Sequence, residues 1–211
     1  MRALVTGFEP FDNDTVNPSS AALALLSQRI GAIEVRTQVL PCVFGQALAV
    51  LREAVAAAKP DIVLCAGLAG GRAELSLERV AINVDDARIA DNDGNRPIDA
   101  PVIAEGPPAY FSGLPIKAAV AELRRAGLPA AVSNSAGTFV CNHIFYGVMH
   151  LAAEGGFRAG FVHVPYLPEQ AARHPGAPSM ALADIARGIE IILSVTAGRS
   201  ADIAVSEGAV A

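Results

Sequence analysis

The chain has 211 residues, 52% of them hydrophobic, which is enough apolar material for one full core; domains commonly run to roughly 100–200 residues, so one domain is the expectation. A formal net charge of −5 argues against nucleic acid or an anionic membrane surface as a partner, because both require clustered Lys and Arg. The apolar run after Met1-Arg2 ends at Gly7, no stretch approaches the roughly 20 apolar residues of a membrane span, and Cys42, Cys65 and Cys141 lack metal-ligand spacing; together these read as a cytoplasmic protein.

Taken in order, Arg2–Thr6 reads as a strand that breaks into Gly7-Phe8-Glu9-Pro10-Phe11, the start of a loop with two phenylalanines. Pro18 fits the first helical turn after an Asn17 cap, in a helix running to about Gln28. Glu34–Leu40 is a second strand, and Phe44–Ala58 repeats apolar residues at helical spacing until Lys59-Pro60 stops it. Asp61–Ala66 is a near-continuous apolar run, as expected of a strand covered on both faces. Gly67-Leu68-Ala69-Gly70-Gly71-Arg72 follows, at the sheet end where α/β proteins gather ligand loops; its spacing matches neither a dinucleotide fingerprint nor a Walker loop. Ser76–Ile89 alternates like a half-buried hairpin arm. In Asp91-Asn92-Asp93-Gly94-Asn95 the glycine comes too early for a calcium loop and Val102 stands where its final Glu belongs, so the cluster reads as a tight turn.

The second half predicts a helix over 115–126, a strand over 129–133, a small-residue loop, a helix over 140–152, and a strand over 159–164 ended by Pro165. Tyr166–Ser179 is a Pro-rich loop able to fold over a site, and a last helix covers 180–194. Residues 198–211 form a small, polar tail expected to fray, leaving 1–197 as the domain. The whole reads as a single-domain, three-layer α/β/α sandwich with a twisted, mainly parallel sheet.

Cys141 falls in the first turn of its helix, where unpaired N–H groups and the positive end of the dipole favour a thiolate, drawing a pKa of about 8.5 toward neutrality, and can hold an oxyanion. A lone cysteine is more often a buried hydrophobe, so its partners decide. His163 is the best-placed base, at a strand end on the rim that bears Cys141; His143 and His150 lie on the cysteine's own helix, and His174 sits in a polar loop. Glu78 and Asp85 both flank the alternating arm as candidate acids, and alternation does not choose between them. A zinc set of Cys141, His143, His150 and His163 fails because residues 141 and 143 point to different sides of a helix; neither metal nor cofactor is expected.

The run Thr6-Gly7-Phe8-Glu9-Pro10-Phe11, then Val16-Asn17-Pro18-Ser19, Gly70-Gly71-Arg72, Glu78-Arg79-Val80-Ala81-Ile82-Asn83, Asp86-Ala87-Arg88-Ile89, Asp91-Asn92, Ala136-Gly137-Thr138-Phe139-Val140-Cys141-Asn142-His143 and His163-Val164-Pro165 resembles the type I pyroglutamyl peptidases (pyrrolidone-carboxylate peptidases) along nearly the whole chain. The resemblance implies a cysteine peptidase that removes N-terminal 5-oxoproline, with Cys141 as nucleophile, His163 as general base and then acid, and Glu78 orienting the imidazole. It also implies a lactam pocket lined by Phe8 and Phe11 with Ile89, Phe139 and Val140, substrate recognition by Asn17, electrostatic support from Arg88, a peptide substrate bearing N-terminal pyroglutamate, and a homotetramer or dimer. Four departures concern the pocket: Leu68 where Gln is common, Asp12-Asn13-Asp14 for a glycine-rich turn, Ala90 for proline, and Cys42 for Thr. With Ala69-Gly70-Gly71 intact, the loop is expected to present its backbone to the ligand, so that Leu68 costs nothing.

Overall fold

Three strands of this chain are apolar at nearly every position, a pattern that fits burial between two layers rather than one wet face. The structure, a computed structural model, describes residues 1–12 and 14–208. Asn13 of the acidic turn and residues 209–211 of the tail lie outside the described residues. In chain order the elements are β1 (Arg2–Phe8), α1 (Pro18–Leu23), β2 (Arg29–Ile30), β3 (Ile33–Leu40), α2 (Gln46–Ala58), β4 (Ile62–Leu68), β5 (Leu75–Glu78), β6 (Val80–Ile82), β7 (Ala109–Phe111), α3 (Ile116–Arg125), β8 (Ala130–Ser133), α4 (Val140–Gly155), β9 (Arg158–Val164), α5 (Pro168–Ala171) and α6 (Leu182–Gly198).

Seven strands form one sheet in the order β2-β3-β1-β4-β9-β5-β8. The apolar strands β1, β4 and β9 occupy its middle and, with β3, run parallel. At one edge β2 turns back along β3; at the other β5 runs antiparallel to β9 and carries β8 parallel to itself. One face packs Leu64, Leu75, Leu77 and Val162 against α1, α3 and α6, and the opposite face packs Leu4, Val63, Cys65 and Phe161 against α2 and α4. This is the three-layer α/β/α arrangement.

Element limits depart from the sequence reading where pairing is non-local. α1 stops at Leu23 rather than Gln28, because residues 28–30 are drawn into the sheet, where the Gln28 carbonyl accepts from the Val35 N–H at 2.9 Å. The arm expected over Ser76–Ile89 breaks at Arg79: β5 joins the main sheet, while β6 pairs with β7 in a separate two-stranded ribbon. Alternation spaces side chains correctly in both pieces and says nothing about which sheet each one joins.

Residues after α6 run back over the molecule. Asp202 accepts from the N–H groups of Lys117 (3.0 Å) and Ala118 (2.9 Å), supplying the cap that Pro115 cannot give to α3. Glu207 accepts from Arg124 through its carboxylate (2.6 Å) and from Arg79 through its carbonyl (2.5 Å). Residues 202–207 thus have long-range partners, which had no local signal in the sequence. Among the described residues no helix is long and apolar enough to cross a membrane.

Candidate active site

Strand alternation places Leu75 and Leu77 against the α3 layer, which turns Ser76 and Glu78 to the opposite face. His163 lies between Val162 and Val164 and shares that opposite face with Phe161. The antiparallel register sets Ser76 across from His163, which makes Glu78 the diagonal neighbour of the imidazole. His163 Nδ1 and Glu78 Oε1 are 2.7 Å apart, with Glu78 fully buried and His163 4% exposed. Oε1 also accepts from Arg72 Nη1 at 2.8 Å, while Oε2 is buried with no partner.

Cys141 reaches this pair from a strand that runs the other way. β8 ends at Ser133, level with Glu78, and the loop Asn134–Phe139 carries the chain across to α4, whose second residue is Cys141. Gly67 pairs in register with His163, and a Cβ built on Gly67 would lie 2.8 Å from Cys141 Sγ. The thiol thus rests on bare backbone of β4, beside the strand of His163. Phe139, the N-cap of α4, gives no side-chain cap, and the first helical N–H taken by a backbone acceptor is that of His143, bound to the Phe139 carbonyl at 3.1 Å. The N–H groups of Val140, Cys141 and Asn142 remain for a ligand.

A cavity of about 150 Å³ opens onto the thiol, lined by Phe8, Phe11, Asn17, Cys42, Leu68, Ala136, Phe139, Val140, Cys141 and His163. A larger groove along α1, β2 and β3 has neither Cys nor His on its walls. The Phe11 and Phe139 rings lie 6.2 Å apart and Phe44 meets Phe139 edge-on at 5.4 Å, so the apolar wall is an aromatic cluster. Asn17 is 2% exposed; its Oδ1 accepts from Ser19 N (3.1 Å) and Ser19 Oγ (2.8 Å), and its Nδ2 donates to the Glu9 carbonyl (3.0 Å). One amide hydrogen of Asn17 is left for the cavity. The acidic turn also has a place: Asp14 accepts from Gln170 (2.8 Å) and Arg173 (2.7 Å), fastening the segment after β9 to the loop that carries Phe11.

Not every residue singled out from the sequence reaches the cavity. Arg88 and Ile89 are exposed on a loop held to Thr138 by two hydrogen bonds, and neither lines it. The backbone of the Gly-rich loop, expected to face the ligand, is in part already engaged. Ala69 N–H is already bound to the Val164 carbonyl at 3.0 Å, and of residues 67–72 it is Leu68 that lines the cavity. Asp85, the other candidate acid, pairs with His143 Nδ1 at 2.8 Å, and His143 Nε2 accepts from Gly45 N–H at 3.2 Å. Arg72, quoted in a motif without a role, proves to touch Glu78; a contact through space between a loop and a strand left no sequence signal.

The thiol environment also differs from the expectation. Burial pushes the Cys141 thiol well above its usual range, Cys42 and Glu78 push in the same direction, and Arg72 pulls it down. Burial raises Cys42 and Cys65 to about 12 as well. At Cys141 burial therefore opposes the pull toward a thiolate expected from the helix N-terminus.

Comparison with known proteins matches this geometry to one family. The sequence model described as pyroglutamyl peptidase matches residues 1–199. The pyrrolidone-carboxylate peptidase of Erwinia tasmaniensis is 54% identical over 209 residues, covering 99% of this chain and 98% of its own. Pyrrolidone-carboxylate peptidase 1 of Ralstonia nicotianae is 56% identical over 203 residues, covering 95% and 94%. The crystal structure of pyroglutamyl peptidase I from Bacillus amyloliquefaciens superposes with a TM-score of 0.94 at 45% identity, covering 97% of this chain and 99% of that one. A chain with these motifs, this sheet order and this match from end to end belongs to the pyroglutamyl peptidase family.

Proposed function

We propose that this cysteine peptidase removes N-terminal pyroglutamate from peptides through Cys141, His163 and Glu78. The observation that carries the assignment is the 2.7 Å contact between His163 Nδ1 and Glu78 Oε1. It fixes the neutral imidazole with its proton on Nδ1 and leaves Nε2 as the acceptor for the thiol proton. As Sγ bonds to the carbonyl carbon that follows the lactam ring, its proton passes to Nε2, and the oxyanion is met by the free N–H groups at the start of α4. Collapse breaks the C–N bond while His163 returns the proton to the departing amine. Water, activated by the same Nε2, then cleaves the thioester and regenerates the thiol.

A pyroglutamyl ring is a neutral lactam, so it calls for apolar walls and a few amide partners. The aromatic cluster of Phe11 and Phe139, together with Phe8, Leu68 and Val140, supplies the walls, and the spare Asn17 amide hydrogen suits the lactam carbonyl. The test is release of a fluorophore from a pyroglutamyl amide, set against prolyl and glutamyl amides; equal rates on all three would remove the lactam specificity. We place the enzyme in the cytoplasm, in keeping with three unpaired cysteines, two of them buried. We further propose a homodimer or tetramer, supported by Ile98 and Phe111, which stand 75% and 73% exposed; sedimentation equilibrium giving a monomer would refute it.

A further inference from the structure

Glu78 is a fully buried carboxylate, and such a group stays ionised only with compensating partners. Both donors it has converge on Oε1: His163 from β9 and Arg72 from the loop after β4. A neutral imidazole brings a hydrogen bond but no charge, so the cation holding the resting carboxylate is the guanidinium. Among the described residues no other charge pairs with it. Cys65 of β4 and Cys141 of α4 are thiols that burial pushes above their usual range, β8 and the loop 134–139 contain no titratable side chain, and the face of β5 turned to α3 carries Leu75 and Leu77. Glu74 lines an outer groove with Arg72 but makes no ion pair with it. Arg72 itself is only one-third exposed, and its Nη2 donates to the Ser135 carbonyl at 3.3 Å, which ties the loop leading to Cys141 to the same clamp.

We propose that Arg72 is a positioning residue of the reaction: its guanidinium keeps Glu78 ionised and aimed, so that His163 carries its proton on Nδ1 and offers an unprotonated Nε2 to the Cys141 thiol. The alternative state shows why this matters. If Glu78 takes up a proton, it becomes the donor to Nδ1, the imidazole proton moves to Nε2, and the thiol has nowhere to send its own.

The inference rests on the Glu78, Cys141 and His163 assignment, and its test is the pH profile of kcat/KM for a pyroglutamyl amide in Arg72→Met, Arg72→Gln and Arg72→Lys. Removing the cation takes the charged partner from a fully buried carboxylate, so the acid limb of the profile is expected to move upward. Met and Gln should shift that limb up by about one pH unit or more and lower kcat at pH 7 by about 30- to 100-fold, with KM within about threefold. Lys keeps the charge and should leave the limb within about 0.3 unit of wild type. Should Arg72→Met lose its fold, Arg72→Gln, which retains a hydrogen bond without charge, carries the comparison with Lys. An unmoved limb in Met and Gln, or an equal movement in Lys, overturns the proposal. A wild-type protein inactive on the amide, or full activity in Cys141→Ala, would instead overturn the assignment beneath it.

Discussion

Gly67→Ala tests whether the thiol's seat is made by the missing side chain of β4. The backbone at Gly67 lies outside the left-handed region, so alanine is conformationally acceptable there and the effect is purely one of space. The new Cβ would stand 2.8 Å from Cys141 Sγ and 2.8 Å from Phe161 Cζ. Ordinary contacts between such atoms are about 3.5–4.0 Å, so something must retreat by about 1 Å. Phe161 is 1% exposed and confined between Phe145, with centroids 5.8 Å apart, and His163 at 4.8 Å. It cannot withdraw without pushing the imidazole, and the thiol is the freer of the two. A displacement near 1 Å at a reacting atom costs about 100-fold in rate, whereas overpacking a core site costs about 1–3 kcal/mol of stability.

The expected result is therefore a folded Gly67→Ala protein with kcat/KM down by about 100-fold on a fluorogenic pyroglutamyl amide, normalised to the concentration of native protein from a urea melt. Gly147→Ala is the control, because its Cβ would meet Leu48 Cδ1 at 2.4 Å, a harder overlap between α4 and α2 that involves no residue of the cavity. It should lose stability and keep its rate per folded molecule. A Gly67→Ala enzyme within threefold of wild type would refute the reasoning.

Cys141→Ala should abolish turnover with the fold intact, and His163→Ala should be nearly as severe, while Glu78→Gln retains more activity by keeping a hydrogen-bonding group; single-turnover assays on the three proteins check this. Leu68→Gln places an amide on a residue that lines the cavity, and should lower KM by about two- to tenfold, the worth of one hydrogen bond of about 0.5–1.5 kcal/mol; an unchanged KM would show that the lactam does not reach the new amide. Burial pushes the Asp91 carboxyl upward, but hydrogen bonds from Asn95, Phe44 and Asp93 outweigh it and hold the group below its usual range. A depressed native pKa means the stabilisation is complete above the ordinary carboxylate value and disappears as pH falls through the lowered one. Asp91→Asn should thus lower the urea midpoint at pH 7 by an amount equivalent to about 1–3 kcal/mol, and the gap from wild type should close on acidification; a gap independent of pH would contradict the ionic account.

Local chemistry made much of this fold readable. Continuous apolar runs fixed β1, β4 and β9, Pro18 after Asn17 fixed the start of α1, and Gly156 in the left-handed conformation closes α4 three residues beyond the expected end. What was not legible depends on pairing between distant segments. Residues 76–89 read as one alternating arm, yet the apolar phase slips between Leu77 and Val80, and there the chain passes from one sheet to another at Arg79, whose N–H donates to the Ser133 carbonyl at 2.8 Å. Arg72 is six residues from Glu78 and joins it only because β5 turns back beside β9. Asp202, 85 residues from Lys117, caps a helix whose own flank offers no capping side chain.

The choice of base shows what topology adds to composition. The molecule contains two buried acid–histidine pairs, Asp85 with His143 and Glu78 with His163, with contacts of 2.8 and 2.7 Å. Distance and burial do not separate them, and the sequence offered both acids. The remaining ring nitrogen does. His143 Nε2 accepts from the N–H of Gly45, the residue before α2, so that imidazole is fully engaged and braces α4 against the start of α2. His163 is bound through Nδ1 alone among the described residues, and it shares a cavity wall with Cys141. A general base needs one nitrogen held and one free, and the antiparallel turn of β5 against β9 gives His163 that arrangement, which is why we propose it as the base. In the proposed mechanism the same requirement falls on Glu78 as the holder of Nδ1, and through its contact with Glu78 an arginine at the mouth of a Gly-rich loop would bear on the chemistry of a thiol it does not touch.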